Sequence, residues 1–205
     1  MEIGKEVKHE GRQETEHKGE DEEGHHSEDH HSGYKVGNVQ LVEFDHHFLT
    51  SHPEILEELV HLYCSIWERD DNFGEYRICP RHKKYFSYEQ VEIEGVSHCP
   101  DCGTPLEVAW KPEEVKKEIL RDAKSKDFLG TLAIHERHVQ GFAWAVFLSF
   151  DDVLATWGKG VCNQLKQINP ESPVVIYFNE LAVTKEHRGK GIGTALAKKV
   201  LSKYS

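Results

Sequence analysis

Apolar positions are unevenly spread along the 205 residues. From Met1 to Gly33 Ile3 and Val7 are the only branched aliphatics, and neither a helical nor a strand period runs through the segment. Such a composition cannot bury enough apolar surface to offset its ordering entropy, so residues 1–37 are expected to be a disordered, acidic, His-rich tail. From Val39 to Asp45 the alternation predicts a first strand. Ser51-His52-Pro53-Glu54 then has capping-box spacing, and Ile55, Leu59, Leu62, Tyr63, Ile66 and Trp67 behind it fall on one helical face. Tyr85, Phe86, Tyr88, Val91, Ile93 and Val96 suggest short β segments. A helix is predicted from Pro112 with Val115, Ile119 and Ala123 inward. Phe128–Ile134 and Val139–Phe150 flank Glu136-Arg137 and predict an antiparallel hairpin, with Trp144, Phe147 and Phe150 in the core.

Asp151 is expected to cap a further helix carrying Val153, Leu154, Trp157, Val161, Leu165 and Ile168, weakened by Gly158 and Gly160. Asn169–Pro173 stops it. Val174–Val183 is a β-branched run, and Ala195, Leu196, Val200 and Leu201 recur at helical spacing. Strands interleaved with helices predict an α/β (α+β) fold over residues 38–205, a sheet flanked by helices.

Charge sharpens the picture at the N-terminus. Residues 1–33 hold eleven acidic and four basic side chains, out of a chain net charge of -11, so the folded part is nearly neutral. That balance argues against non-specific nucleic-acid binding. Aromatic residues near Arg81, Lys83 and Lys84 could suggest a nucleic-acid face, but Glu89, Glu92 and Glu94 follow at once. The tail's six histidines, with the pairs His25-His26 and His30-His31, could collect Zn, Ni or Cu ions weakly, or serve only in a solubilising tail. No apolar run approaches the ~20 residues of a membrane span, and no basic-plus-apolar leader opens the chain. A soluble, cytoplasmic protein is expected, and five cysteines suit a reducing compartment.

Three of those cysteines carry a spacing signal. Cys79-Pro80-Arg81-His82 and, sixteen residues later, Cys99-Pro100-Asp101-Cys102-Gly103 match the paired knuckles of a zinc ribbon. Two ligands in one tight turn can bind one ion, and Gly103 lets the backbone turn behind Cys102. A ribbon inserted at residues 76–108 is predicted, with Cys79, His82, Cys99 and Cys102 around a structural Zn2+, closed rather than catalytic; His98 is a spare ligand. Cys64 reads as a small buried apolar residue and His61 as a surface or packing residue.

After Val183 the chain reads Arg188-Gly189-Lys190-Gly191-Ile192-Gly193-Thr194 and enters a helix. Strand, glycine-rich loop and helix N-terminus in series suit a phosphate, since free backbone N–H groups and the positive end of the helix dipole point at whatever lies above the loop. A P-loop would need a lysine where Thr194 stands, and the spacing of Gly189, Gly191 and Gly193 is wrong for a dinucleotide fingerprint. Glu180-Leu181-Ala182-Val183 followed by Arg188-x-x-Gly191-x-Gly193 resembles the acetyl-CoA-binding motif of the GNAT superfamily of N-acetyltransferases, written Q/R-x-x-G-x-G/A, and the resemblance implies a GNAT-like mixed sheet.

The resemblance also implies a mechanism. Acetyl-CoA would lay its pyrophosphate on Arg188, Gly189, Lys190, Gly191, Ile192, Gly193 and Thr194, and its pantetheine arm beside Leu181, Ala182 and Val183 like an added strand. An amine acceptor, a small molecule or a protein, would attack the thioester directly in a ternary complex. Glu180 is expected as general base, through water, or alternatively as a structural carboxylate paired with a lysine; His187 is the next candidate, or a residue that shapes the turn. The helix after the loop should pass to a further strand and helix that open the cofactor slot. The sequence given ends at Ser205, so these are expected from a longer chain, a second copy or a partner chain that completes the sheet, or else the fold persists without full catalysis. The competing readings are a catalytically inactive CoA-binding or protein/nucleic-acid-binding module on the same fold, and a zinc-handling protein whose tail feeds the ribbon.

Overall fold

The computed structural model describes residues 34–69, 74–168, 170–171 and 174–204. The tail histidines and the disorder expected of residues 1–33 lie outside them. The chain forms β1 (Tyr34–Val36), β2 (Val39–Phe44), α1 (His46–Ser51), α2 (Pro53–Arg69), β3 (Arg77–Ile78), β4 (Tyr85–Phe86), β5 (Glu107–Val108), α3 (Pro112–Ala123), β6 (Phe128–His135), β7 (His138–Ser149), α4 (Phe150–Ile168), β8 (Val174–Val183) and α5 (Ile192–Leu201). The main sheet has the order β1-β2-β6-β7-β8, with every neighbouring pair antiparallel. This is the predicted α/β architecture of a sheet flanked by helices.

Alternation along β7 builds both cores. Phe142 and Trp144 join Phe44 and Leu132 under α2 and α3, where Leu59, Tyr63, Val115 and Ile119 are buried. Ala143 and Ala145 face the other way, against Val39, Leu41 and the α5 residues Ile192, Leu196 and Val200. Small residues on that face let α5 approach the strands closely, which fixes the height of its N-terminus above β8. The hairpin turn is Glu136-Arg137, both with positive φ (49° and 70°).

Several expectations are corrected. Tyr34–Val36 pairs with β2, so the sheet begins inside the stretch 1–37 read as tail. Ser51 does not cap α2: it is the last residue of α1, whose own cap is Asp45, accepting from the Phe48 N–H at 2.8 Å. Residues 89–93 form a π-helical turn instead of a strand, because Ser87 and Gln90 make a reciprocal capping box, Gln90 N–H to Ser87 Oγ at 3.3 Å and Ser87 N–H to Gln90 Oε1 at 3.0 Å. The cap of α4 is Ser149 rather than Asp151, with the Ser149 N–H donating to Asp152 Oδ2 at 2.8 Å.

The helix α4 departs furthest from its pattern. Only Val153 and Cys162 are buried, whereas Leu154, Trp157, Val161 and Ile168 are exposed, and Gly158 at φ 82°, ψ 175° breaks the helix in two. Phe147 and Phe150 are half-buried rather than core residues. Among the described residues no helix is long and apolar enough to cross a membrane.

Candidate functional site

β8 pairs with β7 from Val174 to Val183, but the register slips once: Trp144 lies opposite Glu180 and Ala145 opposite Phe178. Asn179 is therefore the extra residue of a β-bulge, a device that re-aims the side chain next to it. The side chain it presents is Glu180. Tyr63, on α2, donates its hydroxyl to Glu180 Oε1 at 2.9 Å. Burial pushes the Glu180 carboxyl up to about 7, with the carboxylates of Asp122, Glu118 and Glu75 adding to the rise and the Tyr63 bond opposing it. Burial and the adjacent Glu180 likewise hold the Tyr63 phenol above its usual range.

Among the described residues the hydrogen-bond partner of Glu180 is Tyr63 and no lysine pairs with it. Tyr63 itself was read only as one more residue of the apolar face of α2. Its ring does pack there, 5.8 Å from Phe142 and 6.1 Å from Trp144, yet its hydroxyl reaches the one titratable group on β8 that is held near neutrality.

Beyond Val183 the strand ends as the Thr184 N–H donates to Gln140 O at 2.9 Å. A 3-10 turn, Lys185–His187, follows. The His187 ring Nδ1 sits 3.0 Å from Thr184 Oγ1 and the His187 backbone N–H donates to Thr184 O, so His187 is built into the turn. Arg188 folds back, its Nε donating to Val183 O at 2.9 Å; the guanidinium thereby ties the loop to the end of β8. Gly189 and Gly191 have φ of 72° and 80°, a left-handed conformation that disfavours any Cβ. Gly191 is the N-cap of α5, and the first helical bond runs from Ala195 N–H to Gly191 O.

The N–H groups of Ile192, Gly193 and Thr194 thus head the helix without intrahelical acceptors. The buried side chains of Ile192 and Leu196 anchor that end of α5 against Val183. A groove of about 580 Å³ runs along α5 past Gly191, Thr194 and Lys198. The predicted loop residues Arg188 to Thr194 are therefore one structural unit at the end of β8. On the strand itself Leu181 is exposed, Ala182 half-buried and Val183 buried, and β8 is the last strand in the sheet order.

The second cluster lies in the insert between α2 and α3, where β4-β3-β5 form a small antiparallel sheet. The ligand atoms of Cys79, His82, Cys99 and Cys102 all lie within 4.8 Å of one another. Cys79 Sγ is 3.7 Å from Cys102 Sγ, and Cys99 Sγ is 3.6 Å from His82 Nδ1. A tetrahedral ion with Zn–S bonds of ~2.3 Å needs S–S edges of ~3.8 Å, so the four residues fit one ion. Both knuckles use the same turn: the residue after the second ligand is left-handed, Lys83 at φ 55° and Gly103 at φ 68°. Lys83 was not legible as such, since lysine carries no turn signal. His98 is outside the cluster, its Nδ1 3.0 Å from Ser97 Oγ. The Thr104 hydroxyl, 3.1 Å from Cys102 Sγ, brings that thiol down to about 7 and prepares it as a thiolate ligand. Cys64, buried on α2, has its thiol pushed up to about 11 by burial and is inert by comparison.

Residues 100–204 match a family model described as the acetyltransferase (GNAT) family. No curated protein matches the chain. Among solved structures, the chain is similar to an integron cassette protein from the mobile metagenome of V. cholerae, with 14% identity over 81% of this chain and 67% of that one and a TM-score of 0.40. It is also similar to an aminoglycoside acetyltransferase from an uncultured soil metagenomic sample in complex with trehalose, at 13% identity over 83% and 72% of the two chains and a TM-score of 0.41. A second aminoglycoside acetyltransferase of soil metagenomic origin matches at 17% identity over 80% and 70%, with a TM-score of 0.36.

Proposed function

The chain belongs to the GNAT acetyltransferase family, and on that premise we propose that it moves an acetyl group from acetyl-CoA to a primary amine in a ternary complex. Acetyl-CoA supplies the activated thioester. Arg188, Gly189, Lys190, Gly191, Ile192, Gly193 and Thr194 bind its pyrophosphate, with the N–H groups at the head of α5 as donors and Arg188 holding the loop in shape. Leu181, Ala182 and Val183 flank the pantetheine arm along the exposed edge of β8. Glu180 accepts the proton that the amine nitrogen must lose as it bonds to the acetyl carbon, while the C–S bond breaks and CoA leaves as thiolate to be protonated.

One observation carries this reading: a carboxyl held near neutrality, at about 7, sits on the same strand that runs into the anion-binding loop. A general base works best when its pKa is close to the operating pH, and a surface glutamate at its ordinary value would be a poor acceptor of an amine proton. The ribbon has a separate, structural part. Cys79, His82, Cys99 and Cys102 would hold one Zn2+ with four ligands from the chain itself, the donor set of a structural rather than a catalytic site.

The test is thiol release from acetyl-CoA over a panel of amines, together with a CoA titration. Glu180→Gln is expected to lose thiol release by two orders of magnitude or more while CoA affinity stays within about twofold. Full activity in that variant would remove Glu180 from the mechanism; absent CoA binding by the parent chain would remove the transferase reading altogether.

A further inference from the structure

The insert lies between Arg69, the last residue of α2, and Pro112, the first of α3. β3 is its central strand: Arg77 pairs with Phe86 on one side and Val108 on the other, and Ile78 with Tyr85 and Glu107. Cys79 continues β3 directly. The knuckle of Cys99 and Cys102 leads into β5, with the Leu106 N–H donating to Ser97 O at 3.0 Å. One ion shared by Cys79 and Cys102 would therefore tie β3 to the chain that becomes β5. Little else holds the insert together, since its buried core is Cys79, Phe86 and Cys99, two of them ligands.

Two residues beyond Val108 stands Trp110, half-buried and packed on the core under α2. Its ring meets Tyr63 edge-on, at 5.6 Å and 72°, and Trp67 at 5.9 Å and 32°. Tyr63 and Trp67 are four residues apart, neighbours on one face of α2 that a single ring can span. The other rings around Tyr63 belong to the framework: Trp67 to α2 itself, and Phe142 and Trp144, stacked at 20° and 24°, to β7. Trp110 alone of these comes from the insert. It is fastened on both sides along the chain, by the pairing of Val108 with Arg77 and by Lys111, the N-cap of α3, whose Nζ lies 3.3 Å from Glu107 Oε2 on β5. The entry strand is fastened too, with the Glu75 N–H donating to Trp67 O at 3.1 Å and the Tyr76 N–H to Phe86 O at 3.0 Å. A polar tip keeps a productive place only when packing locks the body that carries it, and for the Tyr63 hydroxyl part of that lock is Trp110.

Resting on the reading of Glu180 as the base, we infer that Trp110 is a positioning residue, through which the metal-bound insert holds the Tyr63 hydroxyl against Glu180. Loss of the metal frees β5 from β3, the ring of Trp110 leaves the side of α2, and the hydroxyl loses its fixed place 2.9 Å from Glu180 Oε1. Acetyl transfer then varies with the occupancy of a metal site whose donor set is structural.

The experiment reads the Glu180 titration directly, by carbon-13 NMR of the full chain labelled at its glutamate carboxyls, with the Glu180 resonance identified by its absence in Glu180→Gln. Trp110→Leu keeps the contact apolar and removes the ring, and Trp110→Phe keeps a ring. Without a fixed hydroxyl donor the carboxyl ionises less readily. In Trp110→Leu the midpoint is therefore expected to rise by about 0.5 pH unit or more toward that of Tyr63→Phe, and in Trp110→Phe to stay within about 0.2 of the parent. In the Tyr63→Phe background Trp110→Leu should add less than about 0.2, which separates this route from any through Glu75, Glu118 or Asp122, the other acids that act on Glu180. Stripping metal from the reduced parent should give the rise seen in Trp110→Leu, and about one equivalent of Zn2+ should reverse it. A midpoint unmoved by Trp110→Leu or by stripping, or shifts that add in the double variant, overturns the inference. Unfolding of the main sheet in either state overturns it as well, because a positioning element leaves the fold standing. Thiol release from acetyl-CoA by the same samples separates the two levels. Shifted midpoints without thiol release uphold the coupling and refute the transferase reading, and thiol release with unshifted midpoints does the reverse.

Discussion

The hydroxyl of Tyr63 donates a 2.9 Å hydrogen bond to Glu180, 117 positions further along the chain. The bond joins α2 to β8 and stabilises the charged form of a carboxyl that burial drives the other way. Tyr63→Phe removes the donor and leaves the rings packed, so Glu180 should hold its proton to a still higher pH. Since the proposed base works deprotonated, the rising limb of the pH–rate profile, near pH 7 in the parent, is expected to move up by about one unit, a 1.4 kcal/mol effect, with activity recovering toward pH 9. The measurement uses an amine of low pKa, so that the acceptor's own titration does not intrude. An unmoved limb would show that Tyr63 is a packing residue alone.

The same carboxyl makes stability depend on pH. The folded pKa of Glu180, about 7, lies above its ordinary 4.5, so folding favours the protonated form. Its contribution is fully present below the ordinary value and is lost as pH rises through 7. Glu180→Gln should therefore melt higher than the parent at pH 8, by an amount on the order of 1–2 kcal/mol after allowance for solvent screening, with the difference shrinking as pH falls and vanishing only below the ordinary value of 4.5. A variant that is less stable at pH 8 would contradict the assigned shift.

How much of this could be read beforehand follows the range of the interaction. The inward side of α3 was legible because period and burial agree within a few residues: Val115, Ile119 and Ala123 are all buried. The loop and the knuckles were legible because their chemistry is written in consecutive residues. The Tyr63–Glu180 pair was not, because nothing in either local sequence announces a partner more than a hundred residues away. The bulge at Asn179 was hidden because a one-residue slip in pairing leaves no mark on the composition of Val174–Val183. For α4 the helical period was real, but it could not say that Leu154, Trp157 and Ile168 would face outward.

The ribbon gives a spectroscopic prediction. Cobalt(II) added to the reduced, metal-stripped protein should produce an intense thiolate-to-cobalt charge-transfer band at about one equivalent, because three of the four ligands are thiolates. Histidines of the N-terminal segment cannot generate that band, so it reports on the cluster alone. Cys99→Ser should lose most of it and lower the melting temperature, as the fold of the insert is coupled to its metal. A parent chain without the band would remove the metal from the account, whatever zinc is found by total analysis.

The glycine at the head of α5 separates backbone strain from ligand approach. A Cβ on Gly191 would meet nothing within 4 Å, but its φ of 80° is a conformation that other residues adopt only at a cost. Gly191→Val is therefore expected to lower stability by about 1–2 kcal/mol through strain alone, or to relax the N-cap and turn the open N–H groups of α5 away from the loop. In either case the branched side chain stands where the backbone must come close to a phosphate, so CoA affinity should fall tenfold or more, a larger loss than the change in stability predicts. Calorimetric titration with CoA beside a thermal melt measures both. If the variant binds CoA as the parent does, the phosphate does not sit on this loop.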